Sequence, residues 1–301
     1  MFPVGVYDVE DYPLNWIDGT YYSTYKDNIF EVSSIENVKS EAEYSAVTDI
    51  NLSNQSLTTD FTFLDRYSNL SILYLQGNSI SNLDLSGFNT LDYVNCTNNN
   101  VSILDVTSHI GISSIYCGGN NISILDVENL TELRFLHCYS NNISVLNITN
   151  LNKLVQVSCA VNNISILDVS NKTLLTYLDC AVNNISILDV TNLVDLDFLF
   201  CQDNNITVLN TTNLVNVTTV YCFNNNITTL DATGLISCTN LRCYNNQLDA
   251  AANSQILIDL DTNGLLNGYL HSSIFGGGSL TTAGQTAKSN LLSKGWTIVG
   301  I

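Results

Sequence analysis

Eight of the nine cysteines in this 301-residue chain stand 21 residues apart without drift: Cys96, Cys117, Cys138, Cys159, Cys180, Cys201, Cys222 and Cys243. Three residues after each comes an asparagine, from Asn99 to Asn246. Five and two residues before each is an apolar side chain, as with Leu133 and Leu136 before Cys138; in the last coil a cysteine, Cys238, fills the first of these places. The other half of the unit is just as regular. Asn121-Ile122-Ser123-Ile124-Leu125-Asp126-Val127 returns almost unchanged at Asn163 and again at Asn184. A fixed period of this length means one supersecondary unit repeated, each burying its apolar side on its neighbours. The first half of the unit reads as a short strand with alternate side chains inward. Such strands stack in parallel about 4.8 Å apart, so ten coils make a rod or arc on the order of 50 Å long.

Each repeated residue has a physical task in that arrangement. A turn buried between coils leaves backbone groups without water, and an amide side chain offers two donors and two acceptor lone pairs to them. The asparagine column is therefore expected to bridge adjacent coils. One cysteine per coil on the inward phase reads as a small hydrophobe in a reduced core. The spacing fits no zinc signature, and three histidines form no cluster. No metal or cofactor is expected.

The unit L-x-x-L-x-C-x-x-N-x-I-x-x-L-D-V resembles the leucine-rich repeat, most closely the short bacterial and viral type with L-D-L in its second half. Here cysteine takes the third leucine place and isoleucine the fourth. The resemblance covers about residues 46–248. An earlier coil, from Leu70 to Ile80, keeps Leu75 where later ones have cysteine. A still earlier one, from Val47 to Leu57, carries Gln55 for the asparagine, as suits an atypical first coil. The resemblance implies a mainly β solenoid with a parallel strand ladder and a cap at each end.

The flanks divide the chain. Residues 1–45 fit no repeat and are acidic and rich in rings, among them Tyr7, Trp16, Tyr21, Tyr22 and Phe30. They read as short strands and turns, with a hairpin turn at Asp18-Gly19, serving as an N-terminal cap, a docking segment, or both. Residues 249–301 read as helix, strand, helix, strand: Ala250–Leu260 with a stop near Asn263-Gly264, a strand near Tyr269–Ile274, Thr281–Leu292, and Trp296–Val299. This tail, with Lys294-Gly295-Trp296-Thr297-Ile298-Val299, resembles C-terminal segments of repeat-bearing structural proteins of tailed bacteriophages and some bacterial surface proteins.

Charge narrows the function. A net −19 with nine basic residues disfavours nucleic acid and anionic membranes, both of which are bound through Lys and Arg. No apolar run is long enough to span a membrane. Met1 to Asp8 lacks the basic start and apolar run of a signal peptide, so the sequence suggests a cytosolic protein or one that leaves by another route, such as a virus particle. The recurring Asn-x-Ser/Thr sequons, as at Asn121 and Asn163, read as by-products of the repeat.

Two columns carry the candidate chemistry. Asp84, Asp105, Asp126, Asn147, Asp168, Asp189, Asn210 and Asp231 share one position. They either close Asx-type turns, which asparagine closes equally well, or share calcium. The second column set is the outward strand face, on the inner curve of the solenoid. There Tyr116, Phe135, His137, Tyr139, Tyr177, Asp179, Phe198, Phe200, Asp203, Tyr221, Phe223, Arg242 and Tyr244 form the candidate binding surface. Rigid rings with carboxylates suit a protein or a glycan; cross-strand stacking that only stabilises the sheet is the alternative. No nucleophile–base pair, phosphate loop or dinucleotide fingerprint appears, so no enzyme is expected. The sequence thus suggests a structural or adhesive component of a bacteriophage virion, decorating the capsid or associated with the tail. Residues 1–45 would contact other virion proteins and the concave face a host-surface glycan or protein. The alternatives are an internalin-like bacterial surface adhesin and an intracellular interaction scaffold.

Overall fold

The computed structural model describes residues 29–31, 45–58 and 67–301. Thirteen strands of three residues each, β1 (Ile29–Glu31) to β13 (Thr297–Val299), form one sheet in chain order. Every neighbouring pair is parallel and in register, for example Phe135↔Gln156 and His137↔Ser158 between β6 (Phe135–His137) and β7 (Gln156–Ser158). Twelve strand spacings give the sheet a length of about 58 Å. The expected hairpin at Asp18-Gly19 lies outside the described residues. Of the first 45 residues, β1 extends the sheet by one strand, pairing with β2 (Asp49–Asn51) at Phe30↔Ile50.

The strands are short because each coil must turn twice. Two residues after the cysteine, or after Leu75 in the earlier coil, the chain turns through a left-handed residue: Gly77, Asn98, Gly119, Ser140, Val161, Val182, Asp203, Asn224 and Asn245 all have positive φ. The next residue is the ladder asparagine. In a central coil, Asn162 Oδ1 accepts from the Ile143 amide of the coil before (2.9 Å), and its Nδ2 donates to the carbonyls of Cys138 (3.0 Å) and Cys159 (3.0 Å). The same three bonds recur around Asn120, Asn183 and Asn246. The sequence expectation of an amide bridge between coils is met in this form.

On the far side of each coil, tight turns such as Leu130 N–H to Val127 O (3.0 Å) and Leu133 N–H to Leu130 O (2.9 Å) return the chain to the next strand. The Asp column opens these turns. Asp84, Asp126, Asp168 and Asp231 each accept the amide two residues on, and Asn147 and Asn210 do the same. These bonds lower the pKa of Asp168 and Asp189, each led by the side-chain bond to the residue two on. The core is continuous from Val47 to Trp296 and includes all nine cysteines, free and buried. Burial pushes Cys96 and Cys138 up to about 12, so these thiols stay protonated. Two coils depart from the apolar rule. At the place of Leu130 and Leu193, Lys172 is fully buried, its ammonium donating to the carbonyls of Thr149 (2.9 Å) and Ser170 (3.1 Å). His109 takes the same place one repeat earlier than Leu130, its Nε2 3.1 Å from Leu85 O.

Past the repeats come α1 (Ala250–Asn263), β12 (Tyr269–His271), α2 (Thr282–Ser293) and β13. Asp249 caps α1 by accepting from the Ala252 amide, and Gly264 ends it at φ 78°. Trp296 is buried over Gly268, where any Cβ would lie 2.5 Å from its ring, and its Nε1 donates to Leu265 O (2.9 Å). Lys294 joins α2 to α1 through Asp261 at 2.6 Å.

Candidate binding face

Side chains on the strands alternate, so the first and third residue of each strand point away from the core. The parallel register lines them up in columns one strand spacing apart. The third-residue column runs Tyr116, His137, Ser158, Asp179, Phe200, Tyr221 and Arg242. The first-residue column holds Phe135, Gln156, Tyr177 and Phe198. A further row, just past the cysteines, holds Gly118, Tyr139, Ala160, Ala181, Gln202, Phe223 and Tyr244.

Rings join across the strands. Tyr93, Tyr116 and His137 follow one another at centroid distances of 5.3 and 4.7 Å. Farther along, Tyr177 meets Phe200 (5.7 Å), Phe200 meets Tyr221 (5.1 Å), and Tyr221 meets Phe223 (6.3 Å). Phe198 lies 6.2 Å from Tyr177. Phe223 stacks on Tyr244 at 4.6 Å with 6° between planes, and Tyr244 stacks on His271 at 4.0 Å. The Arg242 guanidinium lies over Tyr221 at 4.5 Å and within 5.5 Å of Tyr269. Tyr139 folds back over Gly118, where a Cβ would come within 2.5 Å of its ring. Between these groups, the coil of β7 places only Gln156, Ser158 and Ala160 on the face.

All thirteen candidate residues fall on this face or at its edge; ten are partly exposed and three are buried. His137 (3%), Asp179 (5%) and Phe200 (3%) point outward from the sheet and are buried all the same. Outward phase is a backbone property; exposure depends on the rings around it, and Tyr116, Tyr177 and Tyr221 lie against His137 and Phe200. Burial pulls His137 down to about 4 and keeps it neutral. It pushes Asp179 up to about 7, against the opposing pull of the Ala181 amide (3.2 Å) and Ser158. Among the described residues, His137 Nε2 has no hydrogen-bond partner. The same is true of Gln202 Oε1, Asp203 Oδ2 and Arg242 Nε.

The sequence reading passed over Gln202, Val161 and Val182. At the left-handed corner the other coils carry glycine, asparagine, serine or aspartate, but two successive coils read Cys-Ala-Val-Asn-Asn. Val161 (φ 56°) and Val182 (φ 53°) are β-branched residues in a conformation that costs an L-residue about 1–2 kcal/mol. The signal was present as a break in the corner column. It acquires meaning only once that column is known to be left-handed. A row of exposed aliphatics, Ile103, Ile124, Val145, Ile166, Ile187 and Val208, lies just before the buried leucine that precedes each Asp or Asn of the turn column.

Solved structures match this arrangement widely. The functional domain of InlJ from Listeria monocytogenes, described as including a cysteine ladder, superposes with a TM-score of 0.71 and 30% identity over 78% of this chain. The fold is a leucine-rich repeat. The chain spans about half (51%) of the InlJ structure it matches. An internalin from Listeria monocytogenes gives a TM-score of 0.69 at 20% identity, covering 88% of this chain and 85% of its own. The leucine-rich repeat ectodomain of an Arabidopsis thaliana membrane receptor kinase, in complex with Casparian strip integrity factor 2, gives 0.65 at 17% identity over 84% of this chain and 35% of its own. No known protein-family profile matches the sequence, and no curated protein sequence does either. Among the described residues, no helix is long and apolar enough to cross a membrane.

Proposed function

We infer that this leucine-rich repeat chain is a non-enzymatic adhesive module that holds a protein partner on the outer face of its sheet. The observation that carries the reading is the run of joined rings from Tyr177 to Tyr244, with Arg242 laid across it. Tyr177, Phe198, Tyr221, Phe223 and Tyr244 remain partly exposed. Rings fixed by their neighbours lose little side-chain entropy on contact, which suits them to anchor a partner. The helix–strand–helix–strand segment 249–301 serves as the end cap, since β12 and β13 continue the ladder and α1 and α2 pack beside them. Residues 1–45 serve to dock the module to its carrier.

The likeness to InlJ favours a bacterial surface setting. A virion component is the second reading, favoured by the Lys294 to Val299 tail; in it the partner is a host-surface protein or glycan. Gradient-banded particles from the native source, searched by mass spectrometry for peptides of this chain, separate the two settings. For the face itself, the combined variant Tyr177→Ala, Phe198→Ala, Tyr221→Ala and Phe223→Ala is compared with wild type for binding of labelled protein to intact bacterial cells. Loss of binding with an intact fold is expected. Binding that persists unchanged would remove this face as the contact.

A further inference from the structure

Beside the aromatic run, the edge of the sheet changes character over three successive coils. Corner residues Val161 and Val182 present apolar side chains, Val161 at 44% exposure, with Ala160 and Ala181 buried behind them. The next corner is Asp203. From there a chain of side-chain amides runs away from the valines: Asn245 Nδ2 donates to Asn224 Oδ1 (2.9 Å), and Asn224 Nδ2 donates to Asp203 Oδ1 (2.7 Å). That chain ends at Asp203, whose Oδ2 has no partner among the described residues, and the adjacent Gln202 Oε1 has none among them either. Two acceptors, one of them anionic, thus stand unpaired at the end of a two-valine shelf. Buried polar atoms are seldom left so without a reason. Valine at a left-handed corner is equally costly, and the corners on either side carry Ser140 and Asp203, with asparagine at Asn98, Asn224 and Asn245.

The two oddities are complementary to a single object. An apolar stem ending in a planar cation with several N–H donors is an arginine side chain; its stem lies along apolar surface while its fork reaches paired acceptors. Val161 to Asp203 spans two coil spacings, about 10 Å, enough for a backbone to approach at the first valine and a guanidinium to arrive at the carboxylate. The net charge of −19 favours such a cation, and Asp203 is partly exposed, so rotation of its side chain presents Oδ2. We propose that the Val161–Val182 shelf with Asp203 at its end is a subsite for an arginine of the protein partner, set in an apolar stretch of that partner. The subsite rests on the reading of the sheet face as the partner's contact. A glycan offers neither the cation nor the aliphatic stem.

The test uses the full chain and a library of random linear displayed peptides, followed by synthesis of the enriched consensus. The expected consensus places arginine beside aliphatic residues. Asp203→Asn keeps the shape and the Asn224 contact and is expected to weaken that peptide about thirtyfold, as loss of one partner of a charge-assisted pair does. The double variant V161N/V182N places at these corners the residue that Asn98 and Asn224 already provide. It is expected to raise the Tm while weakening the same peptide, a split that a purely structural role for the valines does not produce. An acidic or aromatic consensus without arginine, no enriched peptide, or undiminished binding by both variants overturns the subsite. If Tyr221→Ala with Phe223→Ala abolishes binding while both subsite variants bind as wild type, the face reading stands and the subsite falls. If none of these variants matters, both fall. Enrichment on a glycan array in place of the peptide library overturns the protein partner.

Discussion

Within each coil the inner ladder and the outer face lie only a residue or two apart, yet they obey different rules. Asn99 to Asn246 never varies over eight coils, whereas the corner residue just before it is glycine, asparagine, serine, valine or aspartate. The asparagine meets the same environment each time: one amide to accept from and carbonyls on two coils to donate to, all away from water. Only one side chain satisfies that set. The corner asks only for a backbone angle, and several residues supply it at modest cost. Burial does not separate the two regions. Asp179 and His137 are as buried as Asn162, but His137 Nε2 is left unpaired and burial moves both groups away from their ordinary pKa. Uniform surroundings fix a residue type; surroundings that depend on what lies outside the molecule do not.

The largest test of that contrast is the pH response of the outer face. His137 has its folded pKa at about 4 against an ordinary 6.5, and Asp179 at about 7 against 3.8. Between about pH 4 and 6.5 the folded state holds one proton on Asp179 and the unfolded state one on the histidine, so together they give no pH slope there. His137→Gln removes the compensation. The remaining Asp179 contribution is fully present below 3.8 and lost as pH rises through about 7, a fall of roughly 4 kcal/mol. Asp179→Asn leaves the opposite case, with the His137 contribution present above 6.5 and lost by roughly 3 kcal/mol as pH falls through about 4. Urea unfolding across that range reads both, and parallel flat profiles for wild type and both variants would dissolve the pair.

Next in size is the inner ladder. Asn162→Ala strands the Ile143 amide and weakens the satisfaction of two cysteine carbonyls, which should cost about 2–3 kcal/mol in the same unfolding measurement. An unchanged midpoint would mean the column is conserved along the chain for some reason other than stability. Smaller still is Val161→Asn alone, which should stabilise by about 1 kcal/mol through relief at the corner. The least effect is expected on the far side of the coil. Asp126→Asn should leave the Tm within about a degree, as surface changes that keep their bond usually do, since Asn147 and Asn210 already close the same turn. Adding EDTA should leave the melting curve of the wild type where it is; a fall would bring calcium back to the Asp column.

Legibility follows the same division. The solenoid, its strands, the cysteine core and the asparagine bridges were readable because a period of 21 residues puts like beside like, and a ladder then forms automatically. The end of α1 was readable from the stop at Asn263-Gly264, while its Asp249 cap was found only in the structure. For the face, periodicity told which side chains leave the sheet but not which of them stay dry. Phe200 is covered by Tyr177 and Tyr221 from neighbouring coils, and Tyr139 bends away over Gly118; neither direction is encoded in spacing. Spacing does not mark Lys172 as buried either: it shares a mostly leucine column with Phe88 and His109, and only the carbonyls of Thr149 and Ser170 around its ammonium account for its place there.

By itself, then, the sequence determined the period, the stacking direction and the inner ladder, because those depend on interactions that each coil repeats with its neighbour. The tertiary structure alone decided which outward residues are exposed, which polar atoms are left without partners, and that two valines occupy left-handed corners. Those properties arise where side chains from three or four coils converge, and convergence is set by rotamers and neighbouring volumes that no single repeat contains.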